Sequence, residues 1–130
     1  MKLILILSSL FLLTSKETCK QKKEKLAQGC YKGKLEIKAG CMNYTISIKQ
    51  GNIDTAMVVS QWTDENTGKS YKNVFALGSR CNFPSTINEG DEFYFMVDSS
   101  AVQNCAVCMM YYPVPSKHVS IKVLDKPCTE

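Results

Sequence analysis

The sequence predicts an all-β fold: a small antiparallel barrel or Greek-key sandwich of about six to seven strands, stapled by disulfides. Three observations point that way. Apolar residues recur with period two in short runs bounded by Gly, Asn, Asp, Ser and Pro. No run keeps a helical period long enough to define a buried helix face, and strands do not alternate with helices. All seven cysteines follow an apolar N-terminal segment.

That segment sets the compartment. Met1-Lys2 is followed by an apolar run from Leu3 to Leu13, interrupted only by Ser8 and Ser9, before Thr14, Ser15 and Lys16. A membrane-spanning helix needs roughly 20 apolar residues, about twice what is present, so residues 1–15 read as a cleavable signal peptide rather than an anchor. The small residues Thr14 and Ser15 put the cut near residue 15. Acylation at Cys19 is not expected, since Lys16, Glu17 and Thr18 stand where a lipoprotein signal has small and apolar residues.

Residues 16–29 read as a polar, Lys-rich leader, and residues 30–130 as a single β domain, large enough for a modest core. Tyr31, Gly33, Leu35 and Ile37 alternate with charged residues, which predicts a half-buried strand ending at Ala39-Gly40. Tyr44, Ile46 and Ile48 continue the pattern on a second strand, closed by Gln50-Gly51-Asn52. A third strand over 56–62 and a fourth over 71–77 flank the turn-forming run Thr63–Ser70. Glu89-Gly90-Asp91 launches a strongly apolar strand over 92–97, a sixth is expected over 106–112 before Pro113 and Pro115, and a seventh over 118–124.

In an oxidising compartment this cysteine count implies bridges among Cys30, Cys41, Cys81, Cys105, Cys108 and Cys128. Spacing does not determine their pairing. An odd count leaves one thiol over, and Cys19, in the polar leader, is the expected one. Each bridge closing a loop of tens of residues stabilises the fold by roughly 3 to 4 kcal/mol, comparable to the net stability of a small domain.

The net charge of +4 is mild and local: residues 16–38 hold eight lysines against three glutamates. Without aromatics interleaved before Tyr31, that stretch reads as solvated, and no nucleic-acid partner is expected. Catalysis is poorly supplied. His118 is the one histidine and falls on the polar side of its strand, so neither a nucleophile-base pair nor a zinc site is expected. The carboxylate pairs Asp64/Glu65 and Asp91/Glu92 sit in turns, where acidic residues serve the backbone. Asn43-Tyr44-Thr45 is a formal glycosylation sequon, which the short, bacterial-looking signal makes silent.

Cys105-Ala-Val-Cys108 is the one short motif with a mechanism. In redox proteins such a pair sits at a helix N-terminus; here Pro113 follows closely and a structural role is favoured. A dithiol, or a Cu(I) site adding Met109 and Met110, is the alternative, and it requires the pair to be reduced. No metal and no cofactor are expected. Among the aromatics, Trp62, Tyr94, Tyr111 and Tyr112 are the best candidates for an exposed binding face, the others being needed for the core.

The bent first hairpin, the Glu89-Gly90-Asp91 turn into the strand at 92–97 and the late final strand resemble an OB-fold or the related netrin-type module. Cys30–Lys38, Cys41–Thr45, Asn73–Gly78, Glu89–Phe95 and Asn104–Cys108 are similar to small uncharacterised secreted proteins of Bacteroidota-type bacteria. The resemblance implies export from a bacterial cell and no particular activity. The function expected is therefore a non-enzymatic binding or scaffold domain of unknown ligand, secreted or periplasmic, without a stable membrane anchor, a protein or a surface glycan being the candidate ligand classes. A thiol-active or metal-handling protein working through Cys105 and Cys108 is the alternative.

Overall fold

The computed structural model describes residues 24–130. The expected signal peptide, the start of the leader and Cys19 lie outside the described residues. Seven strands form one sheet: β1 (Cys30–Ala39), β2 (Asn43–Gln50), β3 (Val59–Thr63), β4 (Ser70–Leu77), β5 (Glu92–Val97), β6 (His118–Val119) and β7 (Ile121–Leu124). Their order is β3-β4-β2-β1-β5-β7, with antiparallel neighbours, while β6 pairs in parallel with β4. Among the described residues there is no second stacked sheet, and pairing does not run on into a closed barrel. Among the described residues no helix is long and apolar enough to cross a membrane.

Alternation builds the inner face. Leu35 of β1, Tyr44 and Ile46 of β2, Phe75 and Leu77 of β4, Phe93 and Phe95 of β5, Val119 and Ile121 pack into one core, joined by Val58 and Phe83 from connecting segments. Aromatic contacts run through it from Tyr44 to Phe83 (5.6 Å), Phe93 (5.5 Å), Phe95 (5.9 Å) and Phe75 (5.8 Å), mostly tilted or edge-on as ring quadrupoles favour. Gly33 makes room for this stack. A Cβ there would lie 2.9 Å from Phe95 Cε1 and 3.1 Å from Ile46 Cγ2, so any side chain would push the central ring aside.

Two expectations about the strands need correction. Ile37 does not share a face with Leu35. Leu35 pairs with Ile46 but Ile37 pairs with Thr45, leaving Glu36 as an extra residue in β1. This bulge turns Ile37 to the opposite face, where it is buried outside the main core. A matching slip between Lys32 and Gly33 leaves Lys49 extra in β2. The two bulged residues meet, with Lys49 Nζ 3.2 Å from Glu36 Oε1.

The strand expected over 106–112 does not form. Residues 98–117, between β5 and β6, are an irregular strap. Its amides go elsewhere: Cys105 N donates to Cys81 Sγ (3.1 Å) and Met110 N to Cys41 Sγ (3.3 Å), and Pro113 and Pro115 have no amide to give. The count of seven survives because the expected strand over 118–124 is split at Ser120. Its carbonyl accepts from Asp98 N (2.9 Å), while Ser79 Oγ accepts from Ile121 N (2.8 Å) and donates to Ile121 O (2.9 Å).

The last residues of the leader are ordered against the C-terminus. Leu26 bridges Thr129, Ala27 N donates to Cys128 O (2.8 Å), and Gln50 Nε2 donates to Glu24 O (2.6 Å). Lys25 and Glu130 add a salt bridge at 3.1 Å, solvent-exposed and therefore weak.

Candidate binding surface

The cysteines organise the outer side of the sheet. Cys30 bonds to Cys128, Cys41 to Cys108 and Cys81 to Cys105. Cys105 and Cys108 are thus bonded to different partners rather than to each other. Both sit on the strap, while their partners sit on short 3-10 turns that end β1 and follow β4. Two bridges three residues apart fix the strap to two separate turns of the domain. In this bonded state the pair offers neither a dithiol nor soft sulfur ligands for copper.

The strap then crosses the outer face of β2 and β4. Asn43 Nδ2 donates to Met110 O (2.7 Å), Tyr112 OH donates to Asp64 Oδ2 (2.9 Å), and Ala76 N donates to Lys117 O (2.8 Å). Met110 also lies over Gly40, where a Cβ would stand 2.8 Å from its Sδ. Between these anchors Pro113 and Pro115 are buried, and so are Asn43, Thr45, Ser47, Val74 and Ala76 on the strands beneath. Period two marks Thr45 and Ser47 as solvent-facing, yet both are buried on the side that the strap crosses.

Polar groups under the strap are mostly satisfied. Asp64, 1% exposed, accepts from Asn66 N (2.9 Å) and Thr67 Oγ1 (3.2 Å) as well as from Tyr112, so it works as the lock of the β3–β4 turn rather than as half of a carboxylate pair. Beside it, Tyr112 is held above the ordinary tyrosine range, chiefly because its hydroxyl donates to Asp64 and would face that charge if ionised. Glu36 accepts from Ser47 Oγ (2.7 Å). Burial opposes its charge, but Ser47, Lys49 and Lys34 outweigh burial and hold its carboxyl below the ordinary range. Thr45 Oγ1 is the exception, buried without a partner among the described residues.

Among its exposed residues the strap carries large apolar side chains beside polar ones such as Gln103, Asn104 and Lys117. Met109 is 98% exposed, Tyr111 82%, Val102 64% and Met110 61%. The four expected face aromatics separate into two groups. Tyr112 reaches Asp64, two residues from Trp62, which stacks on Tyr71 across the β3–β4 pair with ring centroids 6.0 Å apart. Tyr111 projects from the strap next to Tyr112. Tyr94 is on β5, half-buried beneath Lys32 Nζ at 5.7 Å, and four strand steps, roughly 19 Å, separate β5 from β3. Tyr94 does not belong to the strap surface.

Met109, Met110 and Val102 were not among the sequence candidates for the binding face. An apolar run before a proline reads first as a buried strand, and only the pairing of Cys105 and Cys108 with different partners shows that it stands outside.

The remaining candidates are structural. Asp91 Oδ2 accepts from Asn88 N (2.8 Å) within its turn, and Glu92 pairs with Lys32 at 3.0 Å. His118 is exposed at the register position of Ala76. A cavity of about 630 Å³ between residues 25–31 and Gln50–Asn52 has Lys25 as its one charged lining residue. Among the described residues no three His, Cys, Asp or Glu side chains gather as a metal-binding group. Comparison with family models, curated proteins and solved structures found no match to this chain.

Proposed function

We propose that the chain is an exported, non-enzymatic bacterial binding domain, secreted or periplasmic, that presents the strap between β5 and β6 to a protein or surface-glycan ligand. The observation that carries this reading is the exposure of Met109, Met110, Tyr111 and Val102 on a segment tied down by two disulfides. Burying such a side chain is worth about 1.5 to 3 kcal/mol, so a free loop would fold its apolar residues inward. Bridges at Cys105 and Cys108 prevent that collapse. They also remove the ordering cost a flexible loop would meet on binding, and contiguous exposed apolar groups are the usual mark of an interaction surface.

Export is supported by the three disulfides, which persist in oxidising compartments, together with the N-terminal apolar segment. An OB-like closure is part of the reading. Ser120 alone separates β6, paired with β4, from β7, paired with β5, so one short segment draws both sides of the sheet together as in a partly open barrel.

A photo-crosslinking residue placed at Met109, and for comparison at Tyr94, tests the proposal in cells of the native host expressing the full chain. We expect a discrete adduct from position 109 and none from position 94. Equal labelling at both positions, or none at 109, would refute the strap as the binding element.

A further inference from the structure

The two strap disulfides are chemically unlike the third. Cys105 and Cys108 are exposed, their partners Cys81 and Cys41 are partly exposed, and each partner sulfur already accepts a backbone amide, from Cys105 N at 3.1 Å and Met110 N at 3.3 Å. The third bridge has no fully exposed member: Cys30 is 3% exposed, Cys128 is partly exposed, and their bond lies where the leader pairs with the C-terminus. Attack by a thiolate requires access to one sulfur and a leaving group that tolerates negative charge. The strap bridges meet both requirements: Cys105 and Cys108 are the exposed residues of each bond, and the sulfurs that would leave are those the amides already face.

From this geometry we infer that the strap is a thiol-disulfide exchange site for dithiol reductants, in which Cys105 and Cys108 end bonded to each other and Cys41 and Cys81 are released. A dithiol attacks Cys108 Sγ, breaking its bond to Cys41, whose thiolate leaves toward Met110 N and takes a proton. The reductant's second thiol then attacks its own bound sulfur, forming the reductant's disulfide and freeing the Cys108 thiolate. That thiolate attacks Cys105 Sγ, forming the Cys105–Cys108 bond and expelling the Cys81 thiolate toward Cys105 N, where it too is protonated. One dithiol is oxidised, one protein disulfide is lost on balance, and two thiols appear on the 3-10 turns that hold Cys41 and Cys81. The Cys-x-x-Cys spacing lets the new bond form within the strap itself.

This step goes beyond the binding reading and does not depend on it. Its effect is to detach the strap from both covalent anchors while leaving the Cys30–Cys128 bond in place.

The oxidised, folded full-length mature protein is treated briefly with one equivalent of dithiothreitol, quenched with N-ethylmaleimide, digested and mapped by mass spectrometry. We expect Cys41 and Cys81 to be labelled about tenfold or more faster than Cys30 and Cys128, consistent with exchange governed by access and leaving group. The peptide holding Cys105 and Cys108 should be unlabelled and lighter by two hydrogens than its reduced form. Labelling of Cys108 or Cys105 in place of that internal link, or equal labelling of Cys30 and Cys128, would overturn the inference. In the Cys105→Ser protein the link cannot form, and Cys108 should instead be labelled together with Cys41.

Discussion

The two faces of the same strands are buried by different means. On the inner face Leu35, Ile46, Phe75 and Phe95 interlock, and burial of apolar area and aromatic contact hold them. On the outer face Thr45, Ser47, Val74 and Ala76 are buried beside a strap with little regular hydrogen bonding, held by two disulfides and a few side-chain bonds. The first face needs only its own sequence pattern. The second depends on a distant segment being delivered to it, and the chain uses covalent bonds where packing is thin.

The largest effect in this comparison is expected on the inner face. Phe95 is fully buried and touches the rings of Tyr31, Phe75 and Phe93. Phe95→Ala should cost about 3 to 5 kcal/mol, through lost burial and the cavity left behind, read as a fall in the urea midpoint with the disulfides intact. A loss below about 1 kcal/mol would mean that the inner face is not the source of stability.

Tyr112→Phe probes the outer face and should have a much smaller effect, confined to the strap. Because the folded hydroxyl is held above the ordinary tyrosine range by Asp64, its bond is fully present below about pH 10, the unfolded tyrosine value, and is lost as pH rises through the higher folded value. In the wild type, strap resonances should shift during that alkaline ionisation. In Tyr112→Phe the shift should vanish while the core resonances stay in place. A titration of Tyr112 at or below the ordinary value would contradict the bond to Asp64.

Strands were legible where one face alone decides the residue. β5 was readable end to end because Phe93 and Phe95 alternate with Glu92, Tyr94 and Met96 after a Gly-Asp turn. β1 was readable in extent but not in facing, since a bulge at Glu36 leaves no mark on a pattern that still reads apolar-charged-apolar. The outer-face burial of Thr45 and Ser47 was hidden for a similar reason: period two reports one buried face and says nothing of what arrives from residues 108–117. The strap reads as a strand in the sequence because Ala106–Tyr112 is rich in residues suited to one. The pairing of Cys41 with Cys108 and Cys81 with Cys105 is a contact across the fold that spacing cannot encode. Trp62, Tyr111 and Tyr112 were picked from residue type, and what links them to a common side of the molecule is the Tyr112–Asp64 bond.

The central claim, that a sheet stable through its inner face presents a strap contributing little backbone structure of its own, is tested most directly by native-state hydrogen exchange on the oxidised wild-type protein. Amides of β1, β2, β4 and β5 should form the slowest class and exchange only with global unfolding, while those of residues 102–104 and 106–109 exchange at least about a hundredfold faster by local opening. Strap amides as slow as those of the central strands, or central strands opening as readily as the strap, would contradict it.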